Sequence, residues 1–146
     1  MKLTRTQVDD ALLAKANAAF KWTKPASKHW HDWSNTSNQP CCYLKRIRET
    51  ANQTLRGMNR YVLSYEIWVY AQFETANPAT DPYDTVINPI IDALDKAINP
   101  ADDSDIDNLG LGPVAMCRWN GSADIADGSV DGQCVVVIPV SVFVSA

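Results

Sequence analysis

The sequence predicts an α+β domain, two helices packed on a mainly antiparallel sheet in the order α-β-β-β-α-β-β. Three observations carry this. Residues 61–73 alternate apolar and polar positions over a strand's length, residues 5–20 and 82–98 repeat apolar side chains at helical spacing, and residues 134–144 form a nearly continuous β-branched run. A chain of 146 residues supports one such domain, 1–146, because two separate cores would each bury too little surface.

The first helix is expected over 5–20. Thr4 is a candidate N-cap with Gln7 three residues on, the spacing of a capping box. Val8, Ala11, Leu12, Ala16, Ala19 and Phe20 share one face, and Asp9 and Asp10 suit the positive end of the dipole. Residues 21–33 read as a loop and then a short strand near His29–Trp33. Ser34–Pro40 is a turn-forming loop.

Cys41–Ala51 and Tyr61–Phe73 read as the two arms of a long antiparallel hairpin around Gly57. In the second arm the odd positions, Tyr61 to Phe73, form the core face. The even positions, Ser64, Glu66, Trp68, Tyr70 and Gln72, form the more exposed one. Asp81-Pro82 is a helix start, with an acidic cap and proline at the first position. The helix over 82–98 carries Val86, Ile87, Ile90, Ile91, Leu94 and Ile98 on one stripe, and Pro89 inside it should mark a kink or a new helix start. Asn99-Pro100 ends it. Val114–Trp119 and Cys134–Val144 are the last strands, the latter buried on both faces. Pro139 within it suggests a sheet edge or a bulge.

Charge separates the two halves of the chain. The net charge is −4, yet residues 1–60 hold 11 of the 13 Lys/Arg against 4 acids, a balance of +7, and residues 61–146 come to −11. Such a bipolar protomer can meet a copy of itself head to tail, whereas a nucleic-acid binder is more usually basic overall. No apolar run approaches the roughly 20 residues of a membrane helix. No signal-peptide pattern is visible at the N-terminus. Cys41, Cys42, Cys117 and Cys134 lack any C-x-x-C spacing. They are expected as reduced, structural thiols in a cytoplasmic setting.

Two constellations have partial metal-ligand spacing. His29-x-His31 would share a strand face, but Asp32 faces away and no third ligand follows. Asp103-x-Asp105-x-Asp107 opens like a calcium loop, but Asn108 replaces its glycine and Val114 its bidentate glutamate. No nucleophile elbow, P-loop or dinucleotide glycine pattern occurs. The expectation is therefore no catalytic, metal or cofactor-binding residue, no cofactor and no enzyme activity. What remains is a basic hairpin, Lys45, Arg46, Arg48, Arg56 and Arg60, with Trp68 and Tyr70 as aromatic anchors beside it. Its partners would be acids of a neighbouring copy, from Asp102, Asp103, Asp105 and Asp107 or from Asp124 to Asp131.

Four stretches carry a family likeness. They are Trp30-His31-Asp32-Trp33 followed by Gln39-Pro40, then Ile67-Trp68-Val69-Tyr70, then Ile87-Asn88-Pro89-Ile90-Ile91-Asp92-Ala93-Leu94, and last Val137-Ile138-Pro139-Val140-Ser141-Val142. In this order and spacing the chain resembles the tail terminators, or minor tail proteins, of long-tailed bacteriophages. The resemblance implies a virion protein at the tail–neck junction, assembled in the host cytoplasm. It implies a homo-oligomer, a hexameric ring on the head-proximal end of the tail tube, which stops tube polymerisation and joins the neck or head-completion proteins. DNA would pass through its channel without sequence-specific binding, and no membrane would be involved. The alternatives are another neck, connector or tail-tube subunit, a small nucleic-acid-binding regulator using the basic hairpin, or a small metal-dependent enzyme using His29 and His31.

Overall fold

The computed structural model describes residues 3–28, 35–53, 59–72, 81–98, 109–112, 115–126 and 132–145. Its first element is α1 (Arg5–Ala19), opened by the expected capping box: Thr4 Oγ1 accepts from the Gln7 backbone N–H, and Gln7 Oε1 accepts from the Thr4 N–H at 2.8 Å. Val8, Leu12 and Ala16, spaced by four, are its buried residues. Asp9 and Asp10 lie beyond the first turn and hold side chains instead of the dipole. Asp10 pairs with Lys28, and Asp9 accepts from Tyr65 Oη at 2.5 Å.

Strands β1 (Cys41–Gln53) and β2 (Asn59–Gln72) pair antiparallel as the hairpin. The Gln39–Pro40 bond ahead of β1 is cis. The pairing skips Ile47, a β-bulge between Arg46 and Arg48. One extra residue reverses the side-chain parity of everything beyond it. Cys42, Leu44 and Arg46 therefore share a face with Glu49, while Tyr43 and Lys45 share the other with Arg48.

The second helix, α2 (Asn88–Ile98), follows a π-helical turn over Tyr83–Ile87. Asp81 starts it: its carboxylate accepts from the Tyr83 N–H and its carbonyl from Thr85. Pro89 has no N–H for the Thr85 carbonyl, and its ring crowds that carbonyl. The chain widens there, with the Asn88 N–H reaching back to the Tyr83 carbonyl. Pro89 thus marks a helix start, one of the two outcomes expected of it.

Strands β3 (Ala115–Trp119), β4 (Asp124–Ala126) and β5 (Gln133–Ser145) complete an antiparallel sheet ordered β1-β2-β5-β3, with β4 also on β5. The observed order is α-β-β-α-β-β-β. The fold class is the one expected, with two differences. The strand expected at 29–33 lies outside the described residues, and β4 was not foreseen. Pro139 is also placed differently, since β5 is an inner strand. Asn120 N donates to Pro139 O at 3.0 Å, so the missing Pro139 N–H faces the same side, where β3 stops. Gly121, at φ +123°, turns the chain away from the proline ring. A Cβ there would sit 3.2 Å from Pro139 Cγ. β4 resumes the edge at Asp124 opposite Val137. The proline leaves the β2–β5 ladder intact and splits the outer strand in two.

The core lies between the helices and one face of the sheet. Val8, Leu12, Ile87, Ile90, Leu94 and Ile98 pack with Leu63, Tyr65, Ile67 and Val69 of β2 and with the even positions of β5 from Cys134 to Val144. Ile91 is partly buried against the same cluster. Cys117 and Trp119 extend it to β3.

Candidate assembly interface

Both helices cover one face of the sheet, and Lys45, Arg48, Trp68 and Tyr70 belong to the other. Register builds it from facing rows. Cys41, Tyr70 and Val135 form one row, Tyr43, Trp68 and Val137 the next, then Lys45, Glu66 and Pro139, and then Arg48, Ser64, Ser141 and Arg118. Cross-strand neighbours of this kind touch directly.

An aromatic ladder dominates it. The rings of Tyr43 and Trp68 are 6.0 Å apart at 25°, and those of Trp68 and Tyr70 are 6.5 Å apart at 22°. Both pairs lie in the range of favourable offset stacking. Lys45 Nζ stands 6.0 Å from the Trp68 ring centroid, at the outer limit of a cation–π contact, and Glu66 lies opposite Lys45. On β5, Phe143 has the Arg118 guanidinium 5.8 Å above it. Trp68 is half-buried, and its indole Nε1 is buried with no acceptor among the described residues. An unmet buried donor costs about 1–3 kcal/mol, which a neighbour's carbonyl or carboxylate would offset.

Tyr70 corrects the expectation of an exposed anchor. It is only 9% exposed, packed with Cys41 and Tyr43 into a second small apolar cluster that Trp68 and Val135 flank. Burial raises the phenol pKa of Tyr43 and Tyr70 above the ordinary value, so both remain neutral hydroxyls. Burial pushes the Cys41 thiol up to about 11 against the pull of Lys24, and raises Cys42 further. Cys41, Cys42, Cys117 and Cys134 are all buried and form no disulfide, and Cys41 and Cys42 are held as thiols rather than nucleophilic thiolates.

The basic hairpin does not act as one patch. Arg46 turns to the helix face, 3.4 Å from Asp9, the carboxylate that also holds Tyr65. Lys45 and Arg48 belong to the aromatic face. Arg60 pairs through its backbone with Asn52 and Ser145. Its side chain lies outside the described residues, as do Arg56, Asp102, Asp103, Asp105 and Asp107. Of the Asp124 to Asp131 acids, Asp124 is described, exposed in β4. His29 and His31 also fall outside the description. Among the described residues no three metal-ligating side chains cluster.

Two features were missed in the sequence. Tyr43 completes the ladder, a contact readable only once its register against Trp68 is known. Arg5 donates to Glu49 while its guanidinium lies 4.6 Å over the Tyr61 ring, tying α1 to the far end of the hairpin. That bond raises the Arg5 pKa and lowers that of Glu49. Searched against protein-family models and against curated proteins, the chain matches none.

Proposed function

We propose that this protein is a structural virion subunit of the tail-terminator kind, forming a ring, hexameric by that likeness, on the head-proximal end of a phage tail tube. The ring ends tube growth and offers a joining surface to the neck, with DNA passing through it. The observation that carries this reading is the Tyr43–Trp68–Tyr70 ladder, with its unmet indole N–H, on the sheet face opposite both helices. Stacked aromatics beside a lysine–glutamate pair make a surface suited to protein contact. The opposed charges of the two chain halves support assembly from like copies.

The test is negative-stain microscopy of the purified protein, alone and added to assembling tail-tube protein. Expected are rings, and tubes that stop growing where a ring sits. Stacked tubes built from the protein itself would make it a tube subunit. Monomers that bind DNA with a steep salt dependence would make it a regulator.

A further inference from the structure

Resting on that reading, we propose that copies of this chain join head to tail by seating Ile47 of one copy in the apolar cavity beside Ala71 and Val86 of the next.

The knob is the bulge residue. Ile47 has no partner in the β1–β2 register and is 50% exposed, more than any other large hydrophobic side chain among the described residues. The extra residue of the strand is thus a branched aliphatic one held towards solvent. Lys45 and Arg48 flank it with unlike chemistry, while the neighbouring Arg46 is occupied by Asp9.

The hole lies at the start of the same strand, seven residues before the knob. The end of α1, the entry to β1, the end of β2 and the turn into α2 line a half-open pocket of about 210 Å³. A cavity of roughly 150 Å³ holds a benzene ring, so this one has room for an isoleucine side chain. Phe20, Pro40, Ala71, Val86 and Ile90 supply its apolar walls, and Gln72 and Thr85 its polar rim. Asp81 and Asp84 are exposed in the adjoining turn, and Tyr83 beside them is 41% exposed. A cation-flanked apolar knob thus faces an apolar hole with the Asp81 and Asp84 carboxylates at one border, while Lys21, next to Phe20, and Lys24, near Cys41, lie towards the other.

The two patches differ, and they lie about 20 Å apart along β1, counted from Pro40 to Ile47. A knob cannot reach its own hole. Joining knob to hole leaves one of each free, the heterologous geometry that a ring closes. The charges orient the encounter and the isoleucine supplies the anchor.

The experiment uses two variants at exposed positions, Ile47→Asp and Gln72→Trp, the second filling the hole from its rim. Circular dichroism and a thermal melt confirm that both keep the fold. In analytical ultracentrifugation wild type is expected to associate, and each variant alone to lose at least about tenfold in association constant. Mixed in equal amounts, the variants should form a dimer and nothing larger, because one intact knob meets one intact hole. No dimer in the mixture overturns the proposal, as does wild type that stays monomeric or Ile47→Asp that assembles normally. Rings that still cap tubes in Ile47→Asp refute this contact and leave the ring reading standing. Absence of rings on tubes, with the mixed dimer present, does the reverse.

Discussion

The two faces of the sheet use aromatic and aliphatic residues to different ends. On the helix face Tyr65, Leu63, Ile67 and Ile138 are at most 1% exposed, and the Tyr65 hydroxyl is paired with Asp9. Its polar need is met within the chain. On the opposite face Trp68 is half-buried and its N–H is left without an acceptor among the described residues. The helix face meets its polar needs as a core, and the ladder face leaves one buried donor unmet among the described residues. The difference lies in satisfaction more than in burial, since Tyr43 and Tyr70 are themselves buried.

The comparison breaks if loss of a helix-face side chain proves cheap. Leu94 is fully buried beneath β2 and β5, and Leu94→Ala should cost about 2–5 kcal/mol in urea unfolding. A change within about 0.5 kcal/mol would put Leu94 outside the core. The ladder face should answer differently. Trp68→Ala should cost the isolated domain about 1–2 kcal/mol, less than Leu94→Ala, while reducing self-association at least tenfold. Trp68→Phe sharpens the point: it keeps a ring in the stack and removes the unmet donor. It should leave the isolated domain as stable or up to about 1 kcal/mol more so, yet weaken assembly.

Two neighbouring arginines then separate the faces by charge. Arg46→Glu places a carboxylate beside Asp9 and should cost about 0–1 kcal/mol of stability with assembly unchanged. Arg48→Glu should leave stability within about 0.5 kcal/mol and make assembly weaker and less salt-sensitive. The same response from both would mean that the bulge does not divide them. The smallest effect is expected at Glu49, whose pKa is lowered chiefly by its hydrogen bond from Arg5. A lowered carboxylate contributes stability above its ordinary pKa and loses it as pH falls through the folded value. The melting temperatures of wild type and Glu49→Gln should therefore differ slightly at neutral pH and converge in acid, once the pH has fallen below the ordinary glutamate range and through the lowered folded value.

Much of this was legible in residue order. The alternation of 61–73 located β2 and its core face, Thr4 and Gln7 located the start of α1, and Asp81-Pro82 with Pro89 located the π-helical turn and the start of α2. Strand β4 was not legible because Asp124–Ala126 is three exposed residues, too short for any period to show. The bulge was not legible either. A single unpaired Ile47 looks like any strand residue, yet it sends Arg46 and Arg48 to opposite faces and turns one basic patch into two. Pro139 was read as a sign of an edge because a missing donor is usually harmless only there. The structure instead brings the edge to an end at the proline.

That break bears on the life of the chain before it folds. Cys134–Val144 joins high β-propensity to an absence of charge, the composition of a segment that stacks with copies of itself into cross-β aggregates. Its long partner β2 is made some sixty residues earlier. Pro139 stands in the middle of it and cuts the run into two pieces too short to template a fibril, the role of a gatekeeper residue. The folded sheet meets the proline where β3 has already ended, so the protection comes without a lost ladder bond to β2. Replacing Pro139 with valine would restore an eleven-residue run with no proline and no charge, harmless once paired and hazardous wherever the unpaired strand accumulates.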